Sequence, residues 1–224
     1  MPRRTGATKA PTEERRKDGA GKARRRDAEV IDVAATIFYE RGYATATVQD
    51  VADALGMLKG SLYYYIDSKE DLLYRLMIDI HDGVDHVLAE VMEAQDISAA
   101  DRLELYVRRA IEYNARNLKK ISVYYHDIDQ LTGPRRKEIL TRRRAHDEYV
   151  TKLIRQAQAD GDVDASLDAK LLSNCVFATI IWMYRWYKPG RGVSIEELSE
   201  TSARFVRYGL KGEPTGRASS RKAR

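Results

Sequence analysis

The chain has 224 residues, 43% of them hydrophobic, and carries a formal net charge of +5. That length allows one large domain or two small ones with a real core, and the single cysteine, Cys175, excludes an internal disulfide framework and suits a reducing cytoplasm. The start, Met1-Pro2-Arg3-Arg4, has no apolar run behind it and so reads as no secretory signal, while the longest apolar stretch, Cys175 to Tyr184, falls short of the about 20 residues a bilayer span needs.

Residues 1–26 hold ten Lys/Arg and three Asp/Glu without an apolar period, and read as a disordered basic arm. Order is expected from about Asp27, where Val30, Val33, Ala34, Ile37 and Phe38 follow the spacing of one helix face until Gly42. Thr47-Val48-Gln49-Asp50 is a helix cap with an acid three residues on, and the helix it starts buries Val48, Val51, Ala52 and Leu55. Gly56 permits a turn of positive φ. The next helix is expected over about Leu58–Ile66, with Leu62 and Ile66 inward, Gly60 and Tyr64 central on the outward face, and Ser61 and Tyr63 beside them.

Two short amphipathic helices joined by a glycine turn, the second faced with hydroxyls, a lysine and a glycine, are what a helix-turn-helix reader of DNA requires. Charge alone argues against it, since residues 27–75 hold four basic and nine acidic residues. The case for DNA therefore rests on geometry and on the arm, whose Arg15, Arg16, Lys17, Lys22, Arg24, Arg25 and Arg26 can meet phosphate or a minor groove, or merely solubilise. An outward glycine costs a short helix about 1 kcal/mol against alanine, a cost that makes sense where backbone must approach a groove. Tyrosine and serine hydroxyls, lysine and helix N–H groups are common phosphate contacts, so Thr47, Lys59, Gly60, Ser61, Tyr63, Tyr64, Tyr65 and Lys69 are the DNA-contact candidates.

Ser68-Lys69-Glu70-Asp71 caps a longer helix through about Met92. Only helices follow: Asp101–Asn117, Lys120 to about Gln130, one starting at Gly133-Pro134 and stopping near Gly161, Asp168–Trp186, which is apolar nearly all round, and a last one that Ser194 caps, through about Leu210. Residues 211–224 are again basic with Gly, Pro and Ser, and read as a disordered tail. The histidines His81, His86, His126 and His146 lack metal-ligand spacing, and no nucleophile–base pair or phosphate loop is present. The chain is therefore expected to be neither an enzyme nor a holder of cofactor or metal.

The stretch Ala52-Asp53-Ala54-Leu55-Gly56-Met57-Leu58-Lys59-Gly60-Ser61-Leu62-Tyr63-Tyr64-Tyr65-Ile66-Asp67-Ser68-Lys69-Glu70-Asp71-Leu72, with Ala34 to Val48 upstream, resembles the signature of TetR-family transcriptional regulators over about residues 27–75. Two positions depart from the usual pattern: Leu58 stands where a small hydroxyl residue commonly caps the recognition helix, and Tyr65-Ile66 where His and Phe are commoner. The resemblance implies that Lys69 acts as a phosphate clamp. Trp182-Met183-Tyr184-Arg185-Trp186-Tyr187-Lys188-Pro189-Gly190 is similar to the close of the penultimate helix in members that sense acyl-CoA thioesters.

The expected protein is all-α: a helix-turn-helix DNA-binding domain over 27–75 and a helical ligand-binding and dimerisation domain over 76–210. It would be a cytoplasmic homodimer joined through its last two helices, with two recognition helices about 34–36 Å apart on a near-palindromic double-stranded operator. A small-molecule effector, of which an acyl-CoA thioester of lipid catabolism is the class the resemblance suggests, would release it as a repressor. Arg109, Tyr113, Tyr124, Asp127, Trp182 and Arg185 are the candidate effector contacts; Arg185 can equally cap its helix or reach water. Two other readings stay open: an effector-independent DNA binder, and a helical small-molecule-binding protein with a vestigial helix-turn-helix.

Overall fold

A 29-residue helix, α1 (Glu13–Arg41), opens the described chain. The structure, a computed structural model, describes residues 13–211, with side chains from residue 25 on. The basic arm's first residues, 1–12, and the tail from 212 lie outside the described residues. Residues 13–26 are a correction: they continue α1 rather than standing apart from it. Glu, Arg, Lys and Ala are good helix formers, and a helix carried by propensity shows no apolar stripe to betray it.

The chain divides into two units after Leu72. In the first, α1 buries Val30, Ala34, Ala35, Ile37 and Phe38 and ends at Gly42, whose φ of 77° only glycine adopts readily. Next, α2 (Val48–Ala54) starts in a full capping box, in which the Asp50 N–H donates to Thr47 Oγ1 at 3.1 Å and the Thr47 N–H to Asp50 Oδ2 at 2.8 Å. Gly56, at φ 64°, turns the chain into α3 (Lys59–Leu62). This helix is shorter than the sequence suggests. It has no side-chain cap at Leu58, and Tyr64 and Tyr65 close onto Ser61 and Leu62 in i to i−3 bonds. Leu62 and Ile66 are buried as expected, as are Phe38, Val51, Ala52 and Leu72 of the same unit.

The helix α4 (Lys69–Glu93) begins in the first unit and runs on into the second. There follow α5 (Ala99–Arg116), α6 (Leu118–Asp127) with a 3-10 turn over Ile128–Gln130, and α7 (Gly133–Ala159). The second unit ends with α8 (Ala169–Ile181), which tightens into a 3-10 turn over Trp182–Arg185, and α9 (Ile195–Leu210). No strand occurs among the described residues. The strongly amphipathic α5 is the unit's axis: it packs along α9, α7 and α8 and buries Leu103, Tyr106, Val107, Ala110 and Ile111. Ser98, Asp168 and Ser194 cap α5, α8 and α9 through backbone N–H groups at about 3 Å.

The sequence makes α8 look buried on every face. Within this unit Ala169, Ser173, Val176 and Ile180 are buried, while Leu171, Cys175 and Trp182 are exposed. Cys175, which reads as a core residue from its apolar neighbours, lies on the outside.

Candidate DNA-binding face and ligand cavity

The first unit presents one hydroxyl-rich face. Leu62 and Ile66 anchor α3 and its following turn inward, which leaves Lys59, Gly60, Tyr63, Tyr64 and Tyr65 exposed, with Tyr64 at 89%. Ser61 is half-buried. A Cβ added at Gly60 would meet nothing within 4 Å in this chain, so no packing within the protein demands glycine there. Lys69 stands at the start of α4 with Nζ 4.3 Å from the centre of the Tyr43 ring and donating to the Ala44 carbonyl at 3.2 Å. These contacts offset the unfavourable position of a cation at a helix N-terminus. Thr47 is occupied in its capping box, and its hydroxyl also donates to Asp50 at 2.7 Å. Arg41 pairs with Asp50 as well, and the hydrogen bonds from Thr47 hold that carboxyl below its ordinary range.

The second unit contains an apolar cavity of about 50 Å³ between α4, α5, α6, α7 and α8. Ile80, Val84 and Val87 line it from α4, Ala110 and Tyr113 from α5, Ile121 and Tyr125 from α6, and Phe177, Ile180 and Ile181 from α8. Two polar pairs break this wall. His81 Nε2 is hydrogen-bonded to the Tyr124 hydroxyl at 3.1 Å, and His146 Nε2 to the Tyr106 hydroxyl at 2.7 Å. Burial pushes both histidines down to about 4, the nearby Arg142 adding to it at His81, so both rings are neutral at neutral pH. Burial also lifts Tyr124, to about 12, and raises Tyr106, Tyr113 and Tyr125.

Tyr125, Phe177 and Ile181 are shared between this cavity and an outer groove of about 490 Å³, lined further by Leu140, Arg143, Arg144, Asp147, Asn174 and Ala178. A second depression, of about 400 Å³, continues it through Leu140 and Arg144 to Arg136 and Lys137. The Arg143 guanidinium stands 5.9 Å from the Tyr125 ring centre. Among the described residues neither Arg143 nor Arg144 forms a salt bridge, whereas Arg136 pairs with Asp129 at 2.8 Å.

Of the candidate effector contacts, Tyr113 and Tyr124 line the cavity. The other four do not. Arg109 turns outward into ion pairs with Glu90 at 2.9 Å and Glu112 at 3.2 Å. Trp182 is exposed, with the Arg185 guanidinium 5.8 Å from its ring and itself 3.3 Å from His126 Nε2. Asp127 is half-buried at the end of α6, outside the cavity wall. An isolated arginine in an apolar helix suggests a ligand, but these cations found partners at the surface. Sequence reasoning missed His81 and His146 because it weighed them only as metal ligands. The usable signal was a histidine one residue from the apolar run Ile80, Val84, Val87 on one helix face.

No group of three or more His, Cys, Asp or Glu is arranged to hold a metal, and no helix is long and apolar enough to cross a membrane, among the described residues. The family described as "Bacterial regulatory proteins, tetR family" matches residues 30–76, and "Tetracyclin repressor-like, C-terminal domain" matches residues 96–210. The chain therefore belongs to the TetR family: it is a DNA-binding, helix-turn-helix transcriptional repressor, a regulator and not an enzyme. It is 29% identical over 194 residues to the HTH-type transcriptional repressor KstR2 of Rhodococcus jostii, covering 86% of this chain and 94% of that one. The structure of the ketosteroid regulator KstR2 of Mycobacterium tuberculosis superposes with a TM-score of 0.78 at 25% identity, over 84% of this chain and 96% of the other. AibR, solved in complex with isovaleryl coenzyme A and operator DNA, gives a TM-score of 0.73 at 25% identity, over 80% and 97%.

Proposed function

We propose that this repressor is released from its operator by an acyl-CoA thioester, with the acyl group in the α4–α8 cavity and the coenzyme's phosphates on Arg143 and Arg144. One observation carries the reading: an apolar cavity shares Tyr125, Phe177 and Ile181 with a groove whose two arginines have no carboxylate partner among the described residues. Such a site matches a ligand that is apolar at one end and polyanionic at the other. AibR, a similar fold, binds a molecule of that kind.

The cavity of about 50 Å³ is small beside the groove of about 490 Å³, and a bulky acyl group enters it only if the walls move. That gives the effector its leverage. A ligand shifts an equilibrium only by its differential affinity for the two states, and one that needs a wider cavity favours the state that has it. The helix α4 both lines the cavity and begins with Lys69 of the DNA-facing unit, so it is the element such a shift would use. Thr47, Lys59, Gly60, Ser61, Tyr63, Tyr64, Tyr65 and Lys69 would contact the operator, with α8 and α9 joining two copies in the cytoplasm.

The test is release of labelled operator by a panel of CoA thioesters with short branched, straight-chain and polycyclic acyl groups, beside CoA and the free acids. At least one thioester should release DNA at concentrations where neither half does, and the paired change R143A/R144A should raise the concentration required. If no thioester acts, the reading falls and an effector-independent DNA binder takes its place; if one acts but R143A/R144A leaves the response unchanged, the placement of the phosphates on Arg143 and Arg144 falls.

A further inference from the structure

Arg102, near the start of α5, is 7% exposed and has no carboxylate within salt-bridge distance among the described residues. Its guanidinium donates only to neutral amides, from Nη2 to Gln156 at 2.9 Å and from Nη1 to Gln95 at 3.5 Å, while Nε is buried with no acceptor. The neighbouring Asp101 faces the other way and pairs with Arg207 at 3.0 Å. An arginine cannot shed its proton, and a buried cation without a counter-charge is expensive to keep.

Arg102 lines a depression of about 260 Å³ between the end of α4, α5 and the last part of α7. Lys152 adds a second cation to the wall, Gln95, Gln156 and Tyr149 add polar groups, and no carboxylate contributes. No residue of the wall belongs to the effector cavity or its groove. Two cations, one of them a buried guanidinium held only by neutral amides, are complementary to a planar or tetrahedral oxyanion, which a guanidinium can hold by two parallel hydrogen bonds once its amide partners yield.

We propose that this depression is a second ligand site, specific for a small oxyanion, phosphate or carboxylate, held by Arg102 and Lys152. It is independent of the effector reading. The bound anion supplies the counter-charge Arg102 lacks and ties the end of α4 to α5 and α7.

The test uses the full-length protein in thermal scans with inorganic phosphate or succinate against chloride at matched ionic strength. Binding to the folded state raises Tm, by roughly 4–7 °C at about twenty times the dissociation constant for a chain of this size. The rise should persist in R143A/R144A and vanish in R102M. Should R102M fail to fold, K152A, at an exposed position, should at least halve the rise. A phosphate arm alone or a succinate arm alone tells which oxyanion the site takes. No rise with either anion, or an equal rise in R102M or in K152A, overturns the proposal.

Discussion

Gly83 of α4 lies where the Tyr113 ring of α5 crosses: a Cβ built on Gly83 would fall 2.3 Å from both Cε2 and the hydroxyl oxygen of Tyr113. That hydroxyl donates back to the Ile80 carbonyl at 3.2 Å, so the ring is held against α4 rather than free to swing. Glycine in mid-helix costs about 1 kcal/mol against alanine, and here the close approach of a cavity-wall tyrosine accounts for it. G83A should therefore destabilise the protein by about 1–3 kcal/mol in urea unfolding, as overpacking does, despite the better helix former. Y113A in the same chain should recover part of the loss. If G83A is as stable as the parent, the wall is softer than this contact implies.

The two buried histidines set a pH dependence of stability. In the unfolded chain a histidine titrates near its ordinary 6.5, and in the fold His81 and His146 titrate near 4. Above pH 6.5 both states are neutral at these positions and nothing is lost. Between 6.5 and about 4 the unfolded chain takes up protons that the fold refuses, so stability falls as pH falls, and below about 4 the loss levels off. At His81, Arg142 and Arg143 reinforce the effect of burial while Asp85 and Asp82 oppose it. Urea unfolding between pH 7 and 4 should show a declining stability whose slope is reduced by about one proton in H146Q. An unchanged slope would mean that His146 is solvated in the fold.

On the DNA side, Tyr64 is the cleanest probe, because its side chain is almost fully exposed and supports no core. Y64A should leave unfolding unaltered within about 0.5 kcal/mol. It should weaken operator binding with the salt slope little changed, because a neutral hydroxyl neutralises no phosphate. Lys69→Ala is a less clean probe, since Lys69 also rests on Tyr43 and Ala44 within its own unit. Titration of labelled operator at several salt concentrations measures both. Equal affinity in Y64A and the parent would move the docking face elsewhere.

The helices and caps were readable because each obeys a local rule: Thr47 with Asp50, Gly42 and Gly56 at positive φ, Ser194 ahead of Glu197. The upstream part of α1 was not, because a run of Glu, Arg, Lys and Asp broken only by Gly and Ala leaves no apolar face to detect. The inward pair Leu62 and Ile66 was legible from spacing, whereas the end of α3 was not, since its last turn tightens around Tyr63–Tyr65 without a change of residue class. The cavity defeats local reading altogether: its wall combines single residues from five helices, and only their packing tells Tyr113, which faces it, from Arg109, one turn earlier and paired at the surface.

The last prediction concerns the pairing of two copies. On α8, Leu171, Cys175 and Ala178 are exposed and follow one another at steps of four and three residues, and Trp182 continues the line after α8 ends. Beside it α9 exposes Phe205 and Tyr208, each at 67%, while Leu198, Val206 and Leu210 turn into the unit's own core. A stripe of large apolar side chains left in water across two adjacent helices is what a subunit interface leaves when one copy is viewed alone. Sequence alone could not select the partner-facing side. Val176 and Met183, each 1% exposed, sit in the unit's own core, so a charge there would unfold the protein rather than separate copies. F205E instead places a carboxylate on the exposed face and leaves the core intact. It should keep its helix content yet sediment as a monomer at micromolar concentration, where the parent sediments as a dimer. Operator affinity should then fall by about 100-fold or more, because the two half-sites are no longer bound by linked heads. A folded F205E that remains dimeric, together with a dimeric L171E, would place the interface on another surface.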